Sequence, residues 1–252
     1  MEPWHRREEN QRTADSLHTF IIICEGEINE PIYFKYFETT TIKINTIPNQ
    51  KSKTANIRKA IEHCIKENIL VYQGGETAVE GEHFHIWCVY DRDIDQTSQH
   101  TELTTNVDFD TSIQTAAANN LNVAWSNDSF ELWILLHFEK VDPAIAENSN
   151  RAKYYQRLTE VFKSYQGEDP QLKKILAIPD FNYKTHMKGK TNFLNIVRRL
   201  MIPGTMVAIQ RAAELFQHHA NPSKPPHQMT PCTCVHLLVQ ELLDFGGKVI
   251  QI

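Results

Sequence analysis

Two short apolar runs that each stop at a carboxylate constrain this chain more than any other feature. Residues 20–24 (FIIIC) and 84–90 (FHIWCVY) are rich in β-branched and aromatic residues and are too short for buried helices. Such near-continuous hydrophobicity suits central strands covered on both faces, as in a parallel sheet. The first run meets Glu25 and the second meets Asp91. Between them the apolar spacing changes. Asn29, Glu30 and Pro31 make a helix start, with Asn29 as the capping side chain and a helix over 31–38. Ile42, Ile44 and Ile47 alternate as a strand, and Ile57, Ile61, Cys64 and Ile65 form a helical stripe. A helix over about 110–119 then leads to a short strand over 122–125. The order β-α-β-α-β-α-β predicts an α/β fold whose sheet is mostly parallel and flanked by helices.

The rest of the chain reads differently. Helices are predicted over 130–138, 151–165 and 191–218, the last interrupted by Pro203-Gly204, with a closing helix over 235–245 after a proline-rich loop at 221–231. The expected organisation is a polar arm (1–18), an α/β domain (19–140) and a C-terminal helical region (141–252) packed on it. No stretch is apolar for long enough to span a bilayer, and the first residues lack the hydrophobic core of a signal peptide, so no membrane association and a cytoplasmic location are expected. Cys24, Cys64, Cys88, Cys232 and Cys234 have no framework spacing and read as small buried hydrophobes. Cys232 and Cys234 with His227 and His236 lack zinc-ribbon spacing. The chain has no phosphate-binding loop and no dinucleotide fingerprint.

Charge bears on function. The net charge of −5 argues against a uniformly basic surface. The segment 173–211, however, holds Lys173, Lys174, Lys184, Lys188, Lys190, Arg198, Arg199 and Arg211 against the single acid Asp180. In parallel sheets, functional residues gather at the carboxyl ends of the strands. Asp91 and Asp93, two apart in an extended chain, share a side. With Glu25 they would repel one another unless protonated or bridged by a cation. Oxygen-only ligands suit Mg²⁺ or Mn²⁺, which can activate water against a phosphodiester. The plain alternative for Asp91 and Asp93 is a solvated turn.

Four stretches, in order along the chain, carry a resemblance: CEGEINEPIYF (24–34), YDRD (90–93), SNDSFELWILLHF (126–138) and NPSKPPHQMTPCTCVHLLVQELL (221–243). They resemble the RloB-like family, and residues 24–37 resemble the opening motif of the Toprim fold. The resemblance implies a Toprim-like domain over 19–140. It implies a metal-dependent endonuclease acting on DNA or RNA, transfer RNA included, as the toxic effector of an antiphage (abortive-infection) system. It also implies an ATPase partner encoded in the same locus. Glu25 would be the catalytic carboxylate that orients or activates the attacking water and, with Asp91 and Asp93, a metal ligand. Glu30 would be a further ligand, or simply a favourable charge at a helix start. Asp128-Ser129 stands where the family often has Pro-Cys. Ile94 interrupts an acidic pair that Asp95 restores. Glu131 and His137 are additional candidates, although His137 among Leu135, Leu136 and Phe138 also reads as a buried core histidine. Lys184 is the expected cation at the phosphate, and a homodimer is a further expectation.

Overall fold

The computed structural model describes residues 17–48, 50–73, 76–94, 99–165, 167, 169–220 and 223–248. The chain forms β1 (His18–Cys24), α1 (Asn29–Lys35), β2 (Ile42–Ile47), α2 (Lys53–Lys66), β3 (Leu70–Gln73), β4 (Glu76–Val79), β5 (Phe84–Asp91), α3 (Gln99–Ala118) and β6 (Asn122–Asn127). There follow α4 (Glu131–Leu136), α5 (Arg151–Ser164), α6 (Pro170–Leu176), α7 (Tyr183–His186), α8 (Lys190–Asn192), α9 (Arg198–Met201), α10 (Thr205–His218), β7 (Cys232–Thr233) and α11 (Val235–Gly246).

The main sheet runs β2-β1-β5-β6-β7. Its first four strands are parallel, and β7 pairs antiparallel with the end of β6, Ser126 opposite Thr233. Register places Ile21 beside Ile86 and Cys24 beside Val89. Because side chains alternate along a strand, β1 feeds two cores. Phe20, Ile22 and Cys24 meet Tyr33 and Phe34 of α1, Leu132 to Leu136 of α4 and the apolar stripe of α11. Ile21 and Ile23 meet Ile57, Ala60 and Cys64 of α2 and Phe109 and Ala116 of α3. The result is the expected mixed α/β architecture, a mostly parallel sheet between helical layers with a C-terminal helical region. β7 and α11, from the far end of the chain, complete the sheet and one of its cores.

Several elements differ from the sequence reading. α3 begins at Gln99, well before 110; its first half carries no inward apolar stripe to mark it in the sequence, Leu103 and Val107 being 60% and 66% exposed. The antiparallel pair β3–β4 was not foreseen. The single helix expected over 191–218 is a series: α8, a π turn at Phe193–Val197, α9, a 3₁₀ turn at Ile202–Gly204, and α10. Pro203 contributes no N–H and blocks helix continuation. At Gly204 the backbone comes so close that a Cβ would stand 2.6 Å from the His137 carbonyl oxygen, so only glycine fits. Asn29 does not cap α1; Ile28 holds that position with no side-chain bond. Among the described residues, no helix is long and apolar enough to cross a membrane.

Candidate functional site

β1 and β5 are parallel neighbours, so their carboxyl ends lie together at one edge. The Glu25 N–H donates to the Val89 carbonyl (2.9 Å), and the Asp91 N–H donates to Glu25 Oε2 (3.0 Å). The chain then turns at Asp93, whose φ of 50° is in the left-handed region that aspartate tolerates better than most residues. Arg92 goes the other way, is buried, and donates to Asn106 Oδ1 and Asn127 Oδ1. Asp91 and Asp93 are left on the same cleft. A Cβ at Gly26 would fall 2.0 Å from Glu30 Oε2, so the glycine is what lets the Glu30 carboxylate lie over the backbone there.

These residues line a cleft of about 350 Å³ that brings together Glu25, Glu27, Glu30, Asp91, Asp93 and Glu131 with Arg151, Tyr155 and Lys188. Six carboxylates face two cations, and burial makes that imbalance costly. Burial, then the Asp93 charge, pushes the Glu25 carboxyl up to about 7. Burial, with Glu131 nearby, pushes Glu30 up to about 7. Asp91 is driven well above the usual range by burial and then by Asp93, Glu25, Glu30 and Glu131.

The two cations arrive from the helical half. Asn150 caps α5, accepting from the Lys153 N–H at 2.9 Å, and this sets Arg151 and Tyr155 one turn apart on the same helix face. Arg151 pairs with Asp93 and stands 3.7 Å from Asp128. Buried Asp128 also accepts from the Ile94 N–H (2.8 Å) and the Arg151 N–H (3.2 Å), tying the loop after β5 to α5. Lys188 pairs with Glu131 at 2.7 Å and donates to the Tyr155 hydroxyl at 3.0 Å. Burial alone would lower the Lys188 ammonium, but Glu131 outweighs it and holds the charge on. Replacing Arg151 with alanine is expected to cost about 1–2 kcal/mol, because it removes a cation beside buried Asp128, leaving it only its backbone N–H partners, and frees Asp93. Urea melts of the variant and wild type check this, and equal midpoints would refute the role.

Of the residues named from sequence, Glu25, Glu30, Asp91, Asp93 and Glu131 meet in this cleft. Asp95 lies outside the described residues. His137 does not reach the cleft. Its Nδ1 is 2.8 Å from the Trp133 carbonyl and its Nε2 is 3.2 Å from the Tyr33 hydroxyl, and burial lowers it to about 4, a neutral core histidine. Lys184 is exposed, with its ammonium 5.7 Å from the Tyr155 ring centre, and it does not line the cleft; Lys188 does. His227 is spent on Asp110 (Nδ1 to Oδ2, 2.5 Å), while Cys232 and Cys234 are buried thiols. Arg151 and Tyr155 were missed. Their i, i+4 spacing was visible, but nothing local says which face of α5 meets the sheet edge.

The donor set suits Mg²⁺ or Mn²⁺, since every candidate ligand is an oxygen. One further observation fits a cation: Asn29 Oδ1, buried in the wall of the cleft, has no hydrogen-bond partner. Against it, among the described residues no three histidine, cysteine or carboxylate side chains already stand in a metal-holding group, and Arg151 competes for Asp93. A family model described as RloB-like protein matches residues 20–242. No curated protein and no solved structure matches the chain.

Proposed function

The chain belongs to the RloB-like family, and on that premise we propose that the acidic cleft is the active site of a metal-dependent endonuclease. The observation that carries this reading is the gathering of Glu25, Glu30, Asp91, Asp93 and Glu131, from two strand ends and two helices, around one cleft that also holds two cations. Glu25, Asp91 and Asp93 would hold Mg²⁺ or Mn²⁺, with Asn29 Oδ1 and Glu30 as further oxygen donors. Such an ion, when bound, supplies an acidified water and neutralises charge on the phosphate. Glu25, poised near neutrality, orients or deprotonates the attacking water. Lys188, fixed by Glu131 and Tyr155, neutralises the phosphate oxygens as charge builds on them. The substrate class is nucleic acid, DNA or RNA, including transfer RNA. The chain would act as the toxic effector of an antiphage system beside a separate ATPase, as the family resemblance implies; its own sequence has no phosphate-binding loop.

The test is incubation of the purified protein with labelled plasmid DNA and with total transfer RNA, in Mg²⁺, Mn²⁺ or chelator. Cleavage that requires metal supports the reading and names the substrate. A specific observation favours a second reading, a non-catalytic binding module: Arg151 already neutralises Asp93. Binding without cleavage under every metal condition, with the neighbouring ATPase also supplied, would select it. Within the nuclease reading, Lys188→Ala is expected to slow cleavage on the order of 10²-fold, as loss of one positioned donor does. Lys184→Ala should have the smaller effect in the same assay; the reverse order would return the phosphate role to Lys184.

A further inference from the structure

A recess of about 750 Å³ is separate from the acidic cleft, and two arginines and one aspartate, Asp169, stand in its wall. It lies between α1, α6 and α9, and its walls include Tyr36, Gln171, Asn195, Arg198 and Arg199. Arg199 is paired with buried Asp169, the capping residue of α6, so its charge is answered. Among the described residues, Arg198 is paired with no carboxylate. Its guanidinium lies 5.7 Å from the centre of the Tyr36 ring and donates to the Ile32 carbonyl, 3.3 Å away. Lys248, just past the left-handed Gly247 that ends α11, stands on the same ring at 3.5 Å and donates to the Tyr36 carbonyl. Burial lowers both cations, and Arg198 lowers Lys248 further, as expected of like charges held together.

Two half-buried cations crowded on one aromatic ring, with no carboxylate paired to either among the described residues, are unfavourable unless an anion joins them. The local backbone is also unusual. Arg198 directly follows the π turn at Phe193–Val197, which supplies Leu194 and Asn195 to the same wall. Single π turns inside helices are frequently found at functional sites. α1 links the recess to the cleft, with Glu30 in its first turn and Tyr36 at its C-cap. Six residues of helix separate them by about 9 Å. An aromatic ring flanked by arginine and lysine is the kind of surface that holds single-stranded nucleic acid.

We propose that Tyr36, Arg198 and Lys248 form a phosphodiester-binding subsite that holds a single strand at a nucleotide adjoining the one in the acidic cleft. The subsite rests on the nuclease reading for its purpose, but its binding can be measured without cleavage. Fluorescein-labelled 20-nucleotide DNA and RNA single strands are titrated into the full-length protein in chelator, across a salt series, by anisotropy. Arg198→Ala/Lys248→Ala is expected to bind about tenfold more weakly, with a log–log salt slope shallower by about 1.4, as for two lost contacts. Arg198→Lys/Lys248→Arg, which keeps both charges, should bind as wild type does, and circular dichroism checks that each variant is folded. Lys59→Ala/Lys66→Ala, on exposed positions of α2, is the control for general charge. Unchanged affinity and slope in the alanine pair would overturn the subsite, as would an equal loss in the α2 control or no binding by wild type. Wild type that binds through Arg198 and Lys248 but cleaves nothing when metal is restored and the neighbouring ATPase is supplied would overturn the nuclease reading and leave the subsite standing.

Discussion

Replacing Glu25 with glutamine is expected to reduce metal-dependent cleavage on the order of 10³-fold while the protein stays folded. The glutamine oxygen can still accept the Asp91 N–H that Glu25 Oε2 now takes at 3.0 Å, so the edge of the sheet keeps its geometry. What is lost is the negative charge, one of the groups that would hold the cation, and a carboxyl that takes a proton near pH 7. Single-turnover cleavage of labelled plasmid or transfer RNA, with circular dichroism as the folding control, measures the loss. A rate close to that of wild type would remove Glu25 from the chemistry. Asp91→Asn should match it, since Asp91 shares the same edge and the same crowding.

The second large effect is on stability and runs against activity. Glu30 lies at about 7 in the folded chain and near 4.5 when unfolded, so the folded state binds its proton more tightly. Stability from this group is therefore present in full below pH 4.5 and is lost as pH rises to 7, with no further change above. The shift corresponds to about 3 kcal/mol. Glu30→Gln mimics the protonated form. In chelator it should be indistinguishable from wild type at pH 4.5 and more stable by about 3 kcal/mol at pH 8. The difference between the two proteins is the quantity to measure, because buried His137, lowered to about 4, contributes the opposite slope in both. Urea melts across this range decide it: a variant less stable than wild type at pH 8 would show that Glu30 sits ionised and well paired. If the cleft binds Mg²⁺, adding the ion at pH 8 should close part of the gap, by about 2.7 kcal/mol at a hundredfold excess over its Kd. Such a trade of stability for function is common where like charges are forced together.

The parts of the site that were legible in the sequence are those carried by strand ends. FIIIC before Glu25 and FHIWCVY before Asp91 announce buried strands, and parallel pairing then sets their carboxylates side by side. Glu30 was visible as the acid in the first turn of the next helix. The assignment of Asn29 as a cap failed because the helix begins one residue earlier, and this leaves its side-chain oxygen facing the cleft without a partner. Lys184 and Lys188 are chemically equivalent in the sequence. Lys188 reaches Glu131 because it follows the last turn of the four-residue helix α7, whereas Lys184 lies inside that turn and is exposed. The hairpin β3–β4 and the two-residue β7 are too short to impose a period of their own.

The sequence alone determined the parallel sheet, the helices that cover it and the acidic edge, because these follow from side-chain alternation and helical spacing between near neighbours. Only the tertiary structure decided what answers those acids. Arg151 and Lys188 come from positions 58 and 57 residues beyond the carboxylates they meet, Asp93 and Glu131. The packing of α5 against α4, and of α7 against α5, brings them there, and no local pattern records a contact made across that length of chain. The same holds for Arg198 and Lys248, which meet only because α9 and the end of α11 close on the far end of α1.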